Sequence, residues 1–142
     1  AIPDLRAAVN AARDLRPGVP LVIWGSSYSA ALVLRVAAEA SPDVVAVLAF
    51  SPASGGPMAD CRAEEVSDRI TIPVLVTRPA SEMEHESVTD QAALFRSQGH
   101  SVFVSDPGTH GSSMLVAARV EGDVEATWRV VLDFLAASTA LR

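Results

Sequence analysis

Four short apolar runs, set apart by segments of helical period, constrain this chain more than any other feature. Leu21-Val22-Ile23-Trp24, Val44 to Phe50, Val74 to Thr77 and Val102-Phe103-Val104 each read as a strand. They lack the alternation of a half-exposed strand, so they fit strands covered on both faces, as in parallel sheets. Asp4 to Leu15 reads as a first helix, with Leu5, Val9, Ala12 and Leu15 on one face and Pro17-Gly18 as its stop. Ala30 to Ala40 is rich in alanine and leucine and reads as a second helix, broken by Ser41-Pro42-Asp43. Asp60 to Arg69 is a weaker helical stretch. Ser87 is placed to cap a helix that runs to Gln98 and ends at Gly99. Asp123 to Ala137 closes the chain with Val124, Trp128, Val131, Leu132 and Leu135 on its apolar side. The order predicts a single domain over residues 1–142: a three-layer α/β/α fold with a mainly parallel sheet of about four strands, in sequential order if the crossovers are right-handed. Trp24, Phe50 and Trp128 are expected in its core.

Composition narrows the partners. Of 142 residues, 49 % are hydrophobic and 20 % charged, which excludes a disordered chain. Eleven basic against 17 acidic side chains give a net charge of -6, a surface that repels phosphate; nucleic acid and anionic membrane are not expected partners. No apolar run approaches the roughly 18 residues of a membrane span. A single cysteine, Cys61, allows neither an internal disulfide nor a cysteine-based zinc site. The chain is read as cytoplasmic, and the lack of disulfides is equally compatible with secretion. It starts at Ala1 without a charged-then-apolar leader, so any signal peptide is expected to be gone already.

The chemistry concentrates where strands end. Gly25-Ser26-Ser27-Tyr28-Ser29 lies between an apolar strand and an alanine-rich helix. A nucleophilic serine on such a turn sits in strained backbone, and the residues two before and two after it must be small; Gly25 and Ser29 are. The helix N-terminus offers amide donors, among them that of Tyr28, to a developing oxyanion. An ordinary capped loop would share some of these features. Serine needs a base. His110 follows the fourth strand, and in a parallel sheet all strand C-termini share one edge, so His110 and Ser27 are expected together. His100 precedes that strand and belongs to the opposite edge; His85 is on the correct edge in a charged, solvated segment. The base needs an orienting carboxylate. Glu82 is closest to the end of the third strand; Glu84 comes second, Glu86 suits the next helix's N-terminus, and Asp106 suits the turn at Pro107-Gly108.

The order Ser27, Glu82, His110, each just beyond an apolar strand, resembles the α/β-hydrolase superfamily, whose pattern is Gly-x-Ser-x-Gly with the acid and then the histidine downstream. Ile72-Pro73-Val74-Leu75-Val76 is similar to the strand before the acid, His110-Gly111 to the histidine loop, and the amphipathic segment ending near Leu135 to the C-terminal helix. Within the superfamily the chain looks most like small esterases and dienelactone-hydrolase-type enzymes. The resemblance implies a serine hydrolase of carboxylic esters or related acyl compounds, working through an acyl-enzyme without metal or organic cofactor. In it Ser27 is nucleophile, His110 base, Glu82 orienting acid and the Tyr28 amide an oxyanion donor. There are departures: Ser29 replaces the second glycine, the acid is Glu rather than Asp, and Arg78-Pro79-Ala80-Ser81 stands where relatives carry a glycine-containing turn. The nucleophile follows the first strand instead of the fifth, so the chain resembles the C-terminal half of such a fold. The loop that gives the second oxyanion donor has no counterpart. Leu21 to Trp24 would then be an open edge, expected to pair with a missing N-terminal segment or a second copy. Two other functions fit the same pattern: a catalytically silent binding or assembly module, and a flavodoxin-like domain with Ser27 in a phosphate loop.

Overall fold

The computed structural model describes residues 1–39 and 42–140. Ala40 and Ser41, where the sequence places the end of the second helix and its break, lie outside the described residues.

The four strands are β1 (Leu21–Ser26), β2 (Val44–Phe50), β3 (Val74–Pro79) and β4 (Ser101–Ser105). They form one wholly parallel sheet in the order β1-β2-β3-β4, as the pattern predicts. Ile23 pairs with Val47, Leu48 with Leu75, and Val76 with Val102. The helices are α1 (Ile2–Leu15), α2 (Tyr28–Ala37), α3 (Glu86–Ser97) and α4 (Glu125–Ala140). No helix among the described residues is long and apolar enough to cross a membrane.

Strand side chains alternate between faces, and this builds two cores. On one face Val47, Ala49, Val74 and Val76 pack with Leu34 of α2 and Phe95 of α3. On the other, Leu48, Phe50 and Leu75 pack with Val131 of α4 and with Met114 and Leu115. β2 is buried along its whole length, which is why it carries no polar residue. Gly99, with φ +85°, turns the chain from α3 into β4.

Several expectations need correction. Asp60 to Arg69 forms no α-helix; it folds into separate 3-10 turns at Ala63–Glu65 and Ser67–Arg69. Helix α3 starts one residue earlier than expected, at Glu86; its N-cap position is His85, with no side-chain cap bond, so Ser87 does not cap it. Helix α1 buries no residue completely: Ile2 and Leu5 pack against the core from partly buried positions, and Leu15 is 79 % exposed. Phe50 is fully buried, but Trp24 is 42 % and Trp128 38 % exposed. Trp24 stacks on Phe50 at 4.7 Å, and the Trp128 indole N–H donates to the Leu115 carbonyl, so each has one face packed and one open. The exposure of Trp24 follows from the position of β1, which among the described residues pairs with β2 alone. An apolar groove of about 240 Å³ runs along that edge, lined by Leu5, Val9, Ile23, Trp24 and Val33.

Candidate active site

The C-terminal ends of the strands carry the site. β1 ends at Ser26 and α2 begins at Tyr28, so the chain reverses on Ser27 alone. Ser27 has φ 56° and ψ -117°, a left-handed region that a side-chain-bearing residue adopts at a cost of about 1–3 kcal/mol and only when its surroundings impose it. They do. Its amide donates to the Phe50 carbonyl, and its own carbonyl accepts from Ala30 and Ala53. A Cβ on Gly25 would lie 2.6 Å from the Ala30 backbone and closer still to the Ser29 carbonyl, so strand and helix meet only because residue 25 is glycine. Ser29 does more than stay small: its hydroxyl accepts from the Ser26 amide at 2.9 Å and donates to the Ser26 carbonyl at 2.9 Å. Tyr28 is the first residue of α2, so its amide is among those that no helical carbonyl reaches.

His110 lies in the loop after β4, and Glu82 in the 3-10 turn Ala80–Glu84 after β3. His110 Nδ1 is 2.5 Å from Glu82 Oε1. Of the four carboxylates weighed from sequence, Glu82 is the one that lies against His110. Glu84 and Glu86 are exposed, and Asp106 is an exposed turn residue joined to Pro107 by a cis peptide bond. His100 is buried at the far edge with its Nε2 on the Ser67 carbonyl, and His85 is exposed.

The histidine loop is held by two hydroxyls. Ser26 Oγ accepts from the Ser112 amide at 2.9 Å, and Ser51 Oγ from the Gly111 amide at 3.0 Å. Gly111, with φ +65°, sits so close to Ser26 Oγ that a Cβ there would collide with it. Ser51, at the end of β2, is itself in a positive-φ conformation of 49°. The histidine loop is therefore bonded to the serine turn through Ser26 and to the end of β2 through Ser51.

Glu82 has a second partner that sequence reading missed. Arg78 Nη1 donates to Glu82 Oε2 at 2.8 Å from a guanidinium that is almost wholly buried. Burial works to raise the Glu82 carboxyl, but hydrogen bonds from Arg78 and His110, with the charge of Arg78, outweigh it and hold it below the usual carboxylate range. A depressed carboxyl adds stability that is complete above the ordinary carboxylate range and is lost as pH falls through its folded value. Burial lowers the Arg78 guanidinium against the opposing pull of Glu82 and Glu64, yet an arginine stays charged at every working pH. The signal for this residue is an arginine at the end of an otherwise apolar strand with a glutamate four residues on. Among the described residues no group of His, Cys, Asp and Glu is arranged to hold a metal.

A parallel sheet with a strained serine on the first strand-to-helix turn and a histidine–carboxylate pair beyond the later strands is the α/β-hydrolase fold. No protein-family model matches the sequence, and no curated protein matches it. Three solved structures, of two proteins, carry the comparison. Est1E from Butyrivibrio proteoclasticus, solved alone and with ferulic acid bound, superposes with a TM-score of 0.74 at 16 % identity; the match covers 98 % of this chain and 68–69 % of Est1E. The acylaminoacyl peptidase of Pyrococcus horikoshii superposes with a TM-score of 0.70 at 11 % identity, over 99 % of this chain and 28 % of the peptidase. The chain therefore spans about two thirds of the first and under a third of the second.

Proposed function

We propose that this chain carries the catalytic edge of a serine hydrolase that cleaves carboxylic esters or related acyl compounds. The observation that carries the reading is Ser27 at φ 56° on its turn, with the loop of the Glu82-bonded His110 tied to that turn through Ser26. Glu82 Oε1 accepts a hydrogen bond from the Nδ1–H of His110 and so fixes the tautomer whose lone pair on Nε2 faces the Ser27 hydroxyl. Ser27 Oγ then attacks the acyl carbonyl and His110 takes its proton. The Tyr28 amide and the α2 dipole favour the oxyanion. His110 returns the proton to the leaving alcohol, and water cleaves the acyl-Ser27 intermediate by the reverse use of the same groups. Est1E supports the carboxylic-acyl class, since ferulic acid, which it binds, is a carboxylic acid.

The test is hydrolysis of a chromogenic short-chain ester by the wild-type chain and by Glu82→Gln. The amide cannot fix the imidazole in the required tautomer, and kcat is expected to fall by about 10²–10⁴, with a lower melting temperature because the buried Arg78 loses its charged partner. Wild-type turnover in Glu82→Gln would remove the acid from the scheme.

One observation favours a second reading, a binding module without turnover. The described residues cover neither the outer edge of β1 nor the His110 side chain, which is 59 % exposed. A fluorophosphonate that leaves the folded chain unlabelled would support it.

We also propose that β1 pairs with a further strand, from a second copy or from another segment of a longer chain. An unpaired apolar edge is a template for association. The expected result is slow amide exchange over residues 21–26, alongside a sedimentation coefficient above that of a 142-residue monomer. A monomeric 142-residue chain would exclude a second copy, and outward-facing amides of residues 21–26 that exchange at once in a longer chain as well would sink the proposal.

A further inference from the structure

We propose that Arg78 is a positioning residue that holds Glu82 by one carboxylate oxygen so that the other stays on His110. It forms the inner, buried part of a chain of contacts running Glu64, Gln91, Arg78, Glu82, His110. The proposal extends the serine-hydrolase reading and rests on it for its kinetic part alone.

Arg78 is 5 % exposed, and its guanidinium reaches acceptors on three separate segments. Nη1 donates to Glu82 Oε2 at 2.8 Å, in the turn after β3. Nη2 donates to the Pro52 carbonyl at 2.5 Å, in the loop after β2, and to Gln91 Oε1 on α3. Gln91 is 3 % exposed and passes its own amide to Glu64 Oε1 at 2.9 Å. A guanidinium is planar, so satisfying two of these acceptors fixes the direction of the third bond. That direction is toward Oε2. With Oε2 held, Oε1 is left for His110 Nδ1, and the carboxylate cannot rotate away without giving up a charged bond in a buried site.

The charged and titratable groups around this group are Glu82 from its own turn, Glu64 from the turn at residues 63–65, and His110 from the loop after β4. A lone buried arginine would be costly, since desolvation exceeds what one pair returns. Here one cation lies between two carboxylates. The dyad therefore keeps a negative bias suited to an imidazolium, while the cation prevents Glu82 from taking up a proton of its own. Taking Arg78 away leaves burial, which favours the protonated acid, opposed by the remaining bond from His110.

The experiment follows the Glu82 carboxyl by carbon NMR during a pH titration, with the pH profile of ester hydrolysis measured beside it. Wild type is compared with Arg78→Met, Arg78→Lys and Glu64→Gln. In Arg78→Met the Glu82 midpoint is expected to rise by about one pH unit, because a neighbouring cation is lost. The acid limb of kcat/KM is expected to move the same way, and kcat to fall by about 10²-fold with KM nearly unchanged. Arg78→Lys keeps the charge and loses the fork, so its midpoint stays near wild type while kcat drops. Glu64→Gln removes a negative charge from a partly exposed position and moves the midpoint down by a smaller amount. If Arg78→Met fails to fold, Arg78→Lys and Glu64→Gln still decide the matter. A Glu82 midpoint that is the same in every folded variant overturns the proposal. Midpoints that shift as expected in a chain without any esterase activity leave the clamp standing and refute the hydrolase reading; an active wild type with unmoved midpoints does the reverse.

Discussion

Ser27→Ala is expected to abolish both labelling by a fluorophosphonate and ester turnover, with kcat falling by on the order of 10⁴–10⁶. The fall is large because the residues of such a set act as a unit: without the hydroxyl, His110 has no proton to take. The fold should be indifferent. The contacts that hold residue 27 are made by its backbone, to Phe50, Ala30 and Ala53, and alanine keeps all of them at the same φ. Melting should therefore stay within about 0.5 kcal/mol of wild type. Mass spectrometry of the labelled wild-type chain should place the adduct on the peptide containing Ser27. An adduct on Ser26 or Ser29, or turnover that survives in Ser27→Ala, would refute the nucleophile assignment. The neighbouring hydroxyls are already occupied: Ser26 Oγ accepts from the Ser112 amide, and Ser29 Oγ is bonded twice to the Ser26 backbone.

Gly25→Ala tests the same turn from the structural side. The added Cβ would stand 2.6 Å from both the nitrogen and the Cα of Ala30, and against the Ser29 carbonyl. All of these are backbone atoms at the start of α2, which cannot swing aside as a flexible side chain would. Either α2 moves off β1 or the turn opens, and both disturb a buried packing surface. A loss of about 2–4 kcal/mol is expected, visible as a drop in melting temperature of about 10 °C, with labelling of Ser27 slowed by at least about 10²-fold. Gly55→Ala is the control, because a Cβ there meets nothing within 4 Å and the backbone is extended. If Gly25→Ala melts and labels like the control, the turn has slack that the contacts do not show.

The strands and the site were legible in the sequence to different depths. The four apolar runs located β1 to β4 because burial on both faces leaves a local trace. Their order followed from chain geometry, and with it the placing of Ser27, Glu82 and His110 on one edge. What failed depended on neighbours. Trp24 and the stripe of α1 read as core because periodicity reports that a surface is apolar, without saying whether anything covers it; at the β1 edge little does. The stretch from Asp60 to Arg69 has helical residues but folds into single turns, since propensity is a weak prior that tertiary context overrides. Arg78 was read as a departure from a turn pattern. Its partners, Gln91 and Pro52, are 13 and 26 residues away, beyond the range of any local pattern. Ser26 and Ser51 were hidden in the same way, each acting through an amide 86 or 60 residues distant.

Ser29 bears on how such a chain should be engineered. A designer following the Gly-x-Ser-x-Gly pattern would write glycine there and regard the change as a return to type. In this chain that edit would delete a two-way tether, both halves of which close on the peptide of Ser26. The position ordinarily filled for its lack of bulk here supplies cohesion, so the common residue would be the less conservative choice.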